Sequence, residues 1–166
     1  MTTERLITDE ARASIGVERE TLIGEITLRD IQRYALTVGD FNPLYFDEAY
    51  ARTTPYGGII APPNYLTAVI MWGLGVPEQE LSADGLGLVA DEQREGAAHR
   101  RMAGGQQLEF HAPVRPGDVI RARSKTVAME QREGRSGPFV LITAEQRYYN
   151  QRDELLVTCQ QTSIMR

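Results

Sequence analysis

The chain has 166 residues with 42% hydrophobic and 25% charged residues, the size and composition of one globular domain able to bury a core of its own. A formal net charge of -5 argues against general nucleic-acid binding, because neutralising phosphates needs a basic surface. No run of eighteen apolar residues suggests a membrane span, and the acidic start, Met-Thr-Thr-Glu-Arg-Leu-Ile-Thr-Asp-Glu, lacks the apolar core of a signal peptide. The cytoplasm is the expected compartment.

Residues 1–14 read as an N-terminal extension that folds a short helix against the body. Between Gly16 and Thr27, the apolar Val17, Leu22, Ile23 and Ile26 place a strand in the second half. Thr27 then supplies a hydroxyl N-cap with Asp30 three residues on, and Leu28, Ile31, Tyr34, Ala35 and Val38 form one apolar stripe at helical spacing. Gly39 suits the helix end and Pro43 blocks continuation. Asp40 is therefore expected just past a helix terminus, where its side chain can face a cleft.

Asp47 to Arg52 can make one or two helical turns, and Tyr56-Gly57-Gly58 is turn chemistry. After Pro62-Pro63, a segment from Tyr65 through Leu66, Val69, Ile70, Met71, Trp72 and Leu74 is apolar on nearly every face, which predicts a buried helix over about 64–74. Gly85 to Val89 could form a short strand, and Asp91 to Gly105 reads as loop. Leu108/Phe110, Val119 to Val127, Phe139 to Tyr149 and Leu155 to Met165 are strand-like, with turn residues between the last three. Three long strands joined by short turns predict an antiparallel meander, and the whole order predicts an α+β fold whose sheet curves around the apolar helix.

The lone Cys159 can form no intrachain disulfide and reads as a buried strand residue. No clustered His/Cys set and no phosphate loop points to a metal or cofactor. His99 and His111 read as surface or structural residues, and Met71 and Trp72 as core.

Two stretches carry a resemblance. Val38-Gly39-Asp40-Phe41-Asn42-Pro43-Leu44-Tyr45-Phe46-Asp47 followed by Tyr56-Gly57-Gly58-Ile59-Ile60-Ala61-Pro62-Pro63 resembles the MaoC-like hydratases and dehydratases, especially their N-terminal-type branch. Gly104 to Asp118 is similar to a second recurrent stretch of that branch. The resemblance implies a single hot-dog domain, a curved antiparallel sheet around a central helix. It also implies action on enoyl thioesters of coenzyme A or acyl carrier protein, as homo- or hetero-oligomers with another hot-dog subunit, without metal or redox cofactor.

Active members of that family carry Asp-x-Asn-Pro-x-His, whose Asp and His act on one water, and a glycine amide that binds the thioester oxygen. Here Asp40, Asn42 and Pro43 match, but Tyr45 stands in place of the histidine and Pro62-Pro63 where His-Gly is expected. An unperturbed phenol is a poor base at neutral pH, and proline has no N–H to donate. The candidate site consists of Asp40 and Tyr45 as vestigial or altered catalytic residues. Asn42, Gly57, Gly58, Pro63, Tyr65, Leu66, Val69 and Ile70 are the candidates around the substrate, with an amide of Gly57 or Gly58 as a stand-in oxyanion donor. Arg94, Arg100 and Arg101 are candidates for coenzyme A phosphates.

Three functions follow from the resemblance. The chain could be the substrate-pocket subunit of a hydratase or dehydratase whose partner bears the intact motif. It could be a self-sufficient homodimeric hydratase using Asp40 with Tyr45. It could also be a non-catalytic acyl-CoA-binding or scaffold protein.

Overall fold

The computed structural model describes residues 5–69 and 101–166. The possible strand at Gly85 to Val89 lies outside these residues, as do Ile70, Met71, Trp72, Arg94, His99 and Arg100. The fold begins with a short helix, α1 (Asp9–Ala13), whose N-cap Thr8 accepts a hydrogen bond from the Ala11 amide. Strand β1 (Arg19–Glu25) and helix α2 (Leu28–Thr37) follow. Thr27 caps α2 by accepting from the Asp30 N–H, the arrangement its sequence predicts. Ile31, Tyr34 and Ala35 turn the apolar stripe into the core.

A 3-10 turn (Pro43–Tyr45), α3 (Glu48–Thr53) and α4 (Tyr65–Val69) complete the helical half. Of the predicted central helix over about 64–74, the described part is Tyr65–Val69, beginning just after the two prolines; residues 70–74 lie outside the described residues. The last third is all strand: β2 (Arg101–Phe110), β3 (Val119–Gly134), β4 (Gly137–Tyr149) and β5 (Leu155–Met165). The order across the antiparallel sheet is β1-β3-β4-β5-β2, so β3, β4 and β5 form the expected meander and β1 and β2 are its edges.

Two boundaries differ from those the sequence suggests. Arg101 to Gly105 is not loop but the start of β2, paired with the end of β5. The glycines that obscure this strand have a packing reason: a Cβ on Gly104 would lie 2.9 Å from Thr162 Oγ1 and 3.2 Å from the Thr162 carbonyl, at a bulge between Ala103 and Gly105. Strand β3 also runs past Val127 to Gly134. A bulge between Thr126 and Ala128 shifts the alternation there, and the polar Glu130, Gln131 and Arg132 pair with Leu141, Val140 and Phe139 in a projecting hairpin.

The main core joins Ile31, Tyr34, Tyr45, Tyr65 and Leu66 from the helical half to Ile120, Ala122, Tyr148, Val157 and Cys159 from the sheet. Tyr34 and Tyr65 meet edge to face with ring centroids 5.4 Å apart. A second, smaller cluster is made where Ile7 and Ala11 of the N-terminal segment cover Val140, Ile142 and Met165 at the other end of the strands. The extension is therefore part of the sheet's cover. Its anchoring includes the Leu6 N–H to Gln131 Oε1 at 2.9 Å and the Gly16 N–H to the Thr126 carbonyl at 2.8 Å.

Candidate functional site

The end of α2 fixes Asp40. The Gly39 N–H donates to the Leu36 carbonyl at 3.2 Å and the Asp40 N–H to the Ala35 carbonyl at 2.9 Å, with Gly39 at φ 72°. This paired closure reverses the chain at a residue free to adopt a left-handed backbone. Next, the Asn42 N–H donates to Asp40 Oδ1 at 3.2 Å, and Asn42 Oδ1 accepts from the Leu44 N–H at 3.0 Å. Pro43 opens the 3-10 turn that follows. Gly39, Asp40, Asn42 and Pro43 together build a bracket, and the Asn42 side chain serves as its cap.

The bracket swings Tyr45 back into the core, where it is 5% exposed. Its phenol lies near the half-buried Asp40 carboxylate. Burial, then the negative charge of Asp40 and the nearby Tyr56, push the Tyr45 phenol up to about 12. At neutral pH roughly one molecule in 10⁵ is ionised, so Tyr45 is a hydrogen-bond donor and not a base. The sequence placed these two residues on one short loop, and the structure brings their functional groups together.

This shift also sets a pH dependence of stability. Tyr45 and Tyr65 both ionise near 12 in the fold, the latter chiefly through burial, against about 10 in an unfolded chain. The fold favours their neutral forms. Their contribution is therefore complete below about pH 10 and is lost as pH rises toward about 12. Denaturant midpoints should be insensitive to this ionisation from neutrality to about pH 10 and then fall, with a smaller fall in Tyr45→Phe.

Beyond α3 the chain turns at Thr54 to Gly58. The Gly57 N–H, at φ 68°, donates to the Thr54 carbonyl at 3.0 Å and is consumed by the turn. Gly58 is buried, its N–H has no hydrogen-bond partner among the described residues, and a Cβ there would lie 3.7 Å from Arg115 Nη1 and 3.9 Å from Glu48 Oε1. Arg115 also donates to the Tyr56 carbonyl. The loop carrying Arg115 is itself held: its N–H reaches Asp118 Oδ2 at 2.8 Å, and the Val114 carbonyl accepts from the Ala61 N–H at 2.8 Å. The two stretches that resemble a known family are thus in contact, the second acting as a strut for the first.

Two cavities flank the start of α4. One of about 340 Å³ is mostly apolar and lined by Tyr56, Ile60, Pro62, Pro63, Phe110 and His111 among others. The other, of about 410 Å³, is lined by Tyr34, Asn64, Thr67, Ala68, Gln106, Gln146 and Gln161. Of the substrate candidates, Pro63 lines the first cavity. Tyr65 and Leu66, 2% and 1% exposed, belong to the core and line neither. Val69 lies in α4, and Arg101 begins β2.

Tyr56, Phe110 and His111 line the first cavity and are not among the site residues expected from the sequence. Phe110 shares a strand face with Leu108 on β2 and is 50% exposed. His111 lies within 4.0 Å of the neighbouring Glu109 carboxylate and 2.9 Å of Thr158 Oγ1, the latter a long-range placement that carries no local signal. Cys159 is buried as expected; burial raises its thiol pKa, and Gln106 Nε2 donates to its sulfur at 3.2 Å. Among the described residues no group of His, Cys, Asp and Glu could hold a metal ion, and no helix is long and apolar enough to cross a membrane.

Comparison with known proteins places this geometry. The chain is 30% identical over 132 residues to a probable enoyl-CoA hydratase alpha subunit from Thermomonospora curvata, covering 77% of this chain and 41% of that protein. It is 30% identical over 102 residues to a UPF0336 protein from Thermobifida fusca, covering 60% of this chain and 59% of that one. The chain therefore spans about half the length of these relatives. Among solved structures, the ChsH1-ChsH2 complex from Mycobacterium tuberculosis has a chain that superposes with a TM-score of 0.71 at 21% identity, over 92% of this chain and 84% of that one. The (R)-hydratase from A. caviae involved in PHA biosynthesis gives 0.63 at 23% identity, over 90% of this chain and 94% of that one. These likenesses fix the hot-dog fold. Residues 13–159 match the family described as "FAS1-like, dehydratase domain region", and with this match the chain belongs to the MaoC-like hot-dog hydratases and dehydratases.

Proposed function

We propose that this chain is the substrate-pocket subunit of an enoyl-thioester hydratase or 3-hydroxyacyl-thioester dehydratase, acting beside a hot-dog chain that carries an intact Asp-x-Asn-Pro-x-His motif. The observation that carries the reading is the buried Tyr45 phenol beside Asp40. Hydration needs a group that accepts a proton from water near neutral pH. A phenol ionising near 12 is not that group, and it occupies the position where the family's histidine would stand. The oxyanion donor is altered in the same direction. Pro62 and Pro63 offer no N–H and the Gly57 amide is consumed by its turn, which leaves the Gly58 N–H as the available amide of this loop.

What remains intact is the frame: the Asp40 bracket, the Arg115 strut and the two cavities beside α4. Heteromeric use is supported by the name "alpha subunit" borne by two relatives, one described as a 3-oxo-4,17-pregnadiene-20-carboxyl-CoA hydratase alpha subunit. The edge strand β2 is exposed along most of its length and is the natural place for a second sheet to pair.

A second reading, a homodimeric hydratase working through Asp40, is favoured by one fact: the Tyr45 phenol lies close enough to Asp40 to feel its charge. Mixing separates the readings. Hydration of crotonyl-CoA and longer enoyl-CoAs should appear when this chain is combined with a hot-dog partner bearing the full motif. Acyl-CoA binding without turnover, alone or mixed, would instead favour a non-catalytic binding protein.

A further inference from the structure

The concave face of the sheet changes chemistry along its strands. At one end Ala122, Tyr148, Val157 and Phe110 stand in one row, with the first three buried, and at the other end Val140, Ile142 and Met165 are covered by α1. Between them the register aligns Gln146 with Cys159 and Leu108, and then Gln161 with Gln106. Three carboxamides therefore converge beneath the first turns of α4, across from Asn64 and Thr67, around the cavity of about 410 Å³. A sheet face opposite a helix is ordinarily apolar, and this polar band, with Gln106 and Gln161 open to solvent, departs from that pattern.

The amides are partly set in orientation. The Tyr148 hydroxyl donates to Gln146 Oε1 at 2.9 Å, which turns the Gln146 amino group to serve as donor. Gln106 Nε2 donates to Cys159 Sγ, which leaves its carbonyl to accept. Among the described residues the lining contains donors and acceptors and no charged side chain. A plain alkyl chain would desolvate these amides and return nothing, and a carboxylate would find no cation among them. A neutral oxygen fits them: a ketone can accept from the Gln146 amino group, and a hydroxyl can in addition donate to the Gln106 carbonyl.

We propose that this amide-lined cleft is a specificity subsite for an acyl group bearing a neutral oxygen, a ketone or hydroxyl, distant from the thioester. The inference rests on the thioester reading above. It is tested by calorimetric titration of the full chain with coenzyme A, decanoyl-CoA, a mid-chain keto decanoyl-CoA and the terminally hydroxylated decanoyl-CoA. At least one oxygenated ligand should bind about tenfold or more tightly than decanoyl-CoA. That preference should shrink to within about threefold in Gln161→Leu and in Gln146→Leu, with decanoyl-CoA binding kept or improved. Gln161 is exposed, so its substitution leaves the core intact.

Equal or tighter binding of decanoyl-CoA by the unaltered chain would overturn the proposal. So would a preference that survives both substitutions, or binding of coenzyme A alone as tight as that of the oxygenated ligands, which would assign the amides to its pantetheine arm. Failure of every acyl-CoA to bind would remove the thioester reading and this inference together, whereas binding without preference would remove this inference alone.

Discussion

In the reconstituted heteromer, Asp→Asn in the partner's Asp-x-Asn-Pro-x-His motif should lower kcat about a thousandfold, while Asp40→Asn in this chain should change it by less than about threefold. The size of the first effect is that of a general base removed from a water-activating pair. The small second effect follows from the bonds Asp40 makes here. Its carboxylate accepts the Asn42 N–H, so it stabilises a turn. Asparagine keeps one acceptor oxygen, and the bracket survives with its Gly39 closure and Asn42 cap untouched. Steady-state kinetics of the two single variants and the double variant measure the difference.

Asn150→Leu should destabilise the chain by about 3–5 kcal/mol, the largest expected effect of a single polar-to-apolar change among the described residues. Asn150 is 0% exposed in the connection between β4 and β5. Its Oδ1 accepts from the Arg152 N–H at 3.0 Å and the Glu154 N–H at 3.1 Å, and its Nδ2 donates to Glu154 Oε2 at 2.9 Å. Leucine has a similar volume but would strand both amides in a turn held tight by the Asp153 backbone at φ 60°. The loss would spread to the β4–β5 pairing on which the concave face depends. Urea midpoints should report it, with Arg135→Ala in the exposed β3–β4 turn staying within about 0.5 kcal/mol of the unaltered chain.

Features with a local cause were legible in the sequence. Thr27 and Asp30 announce α2 because capping chemistry acts over three residues, and Gly39, Asn42 and Pro43 specify the bracket because each constrains its own backbone. The meander is readable from long β-branched runs between turn residues. Features caused by distant neighbours were not. Gly104 and Gly105 read as loop because the Thr162 side chain that requires a glycine at the bulge lies on β5.

The Asp40–Tyr45 contact is an intermediate case. Sequence put both residues on one loop, but only the burial of the ring decides that the phenol ionises near 12. Tyr65 and Leu66 show the opposite limit. Their apolar character suits an acyl pocket and a core equally, and packing against Tyr34 and the sheet assigned them to the core. The amides at 106, 146 and 161 are scattered along the chain and acquire meaning only through strand register.

The central claim is that this chain frames a site whose proton chemistry is supplied by another. It is tested most directly by following crotonyl-CoA hydration with the purified chain alone, beside its Asp40→Asn variant. The account predicts that both remain at the uncatalysed rate until a partner bearing the intact motif is added. Rapid hydration by the chain alone, abolished by Asp40→Asn, would contradict it.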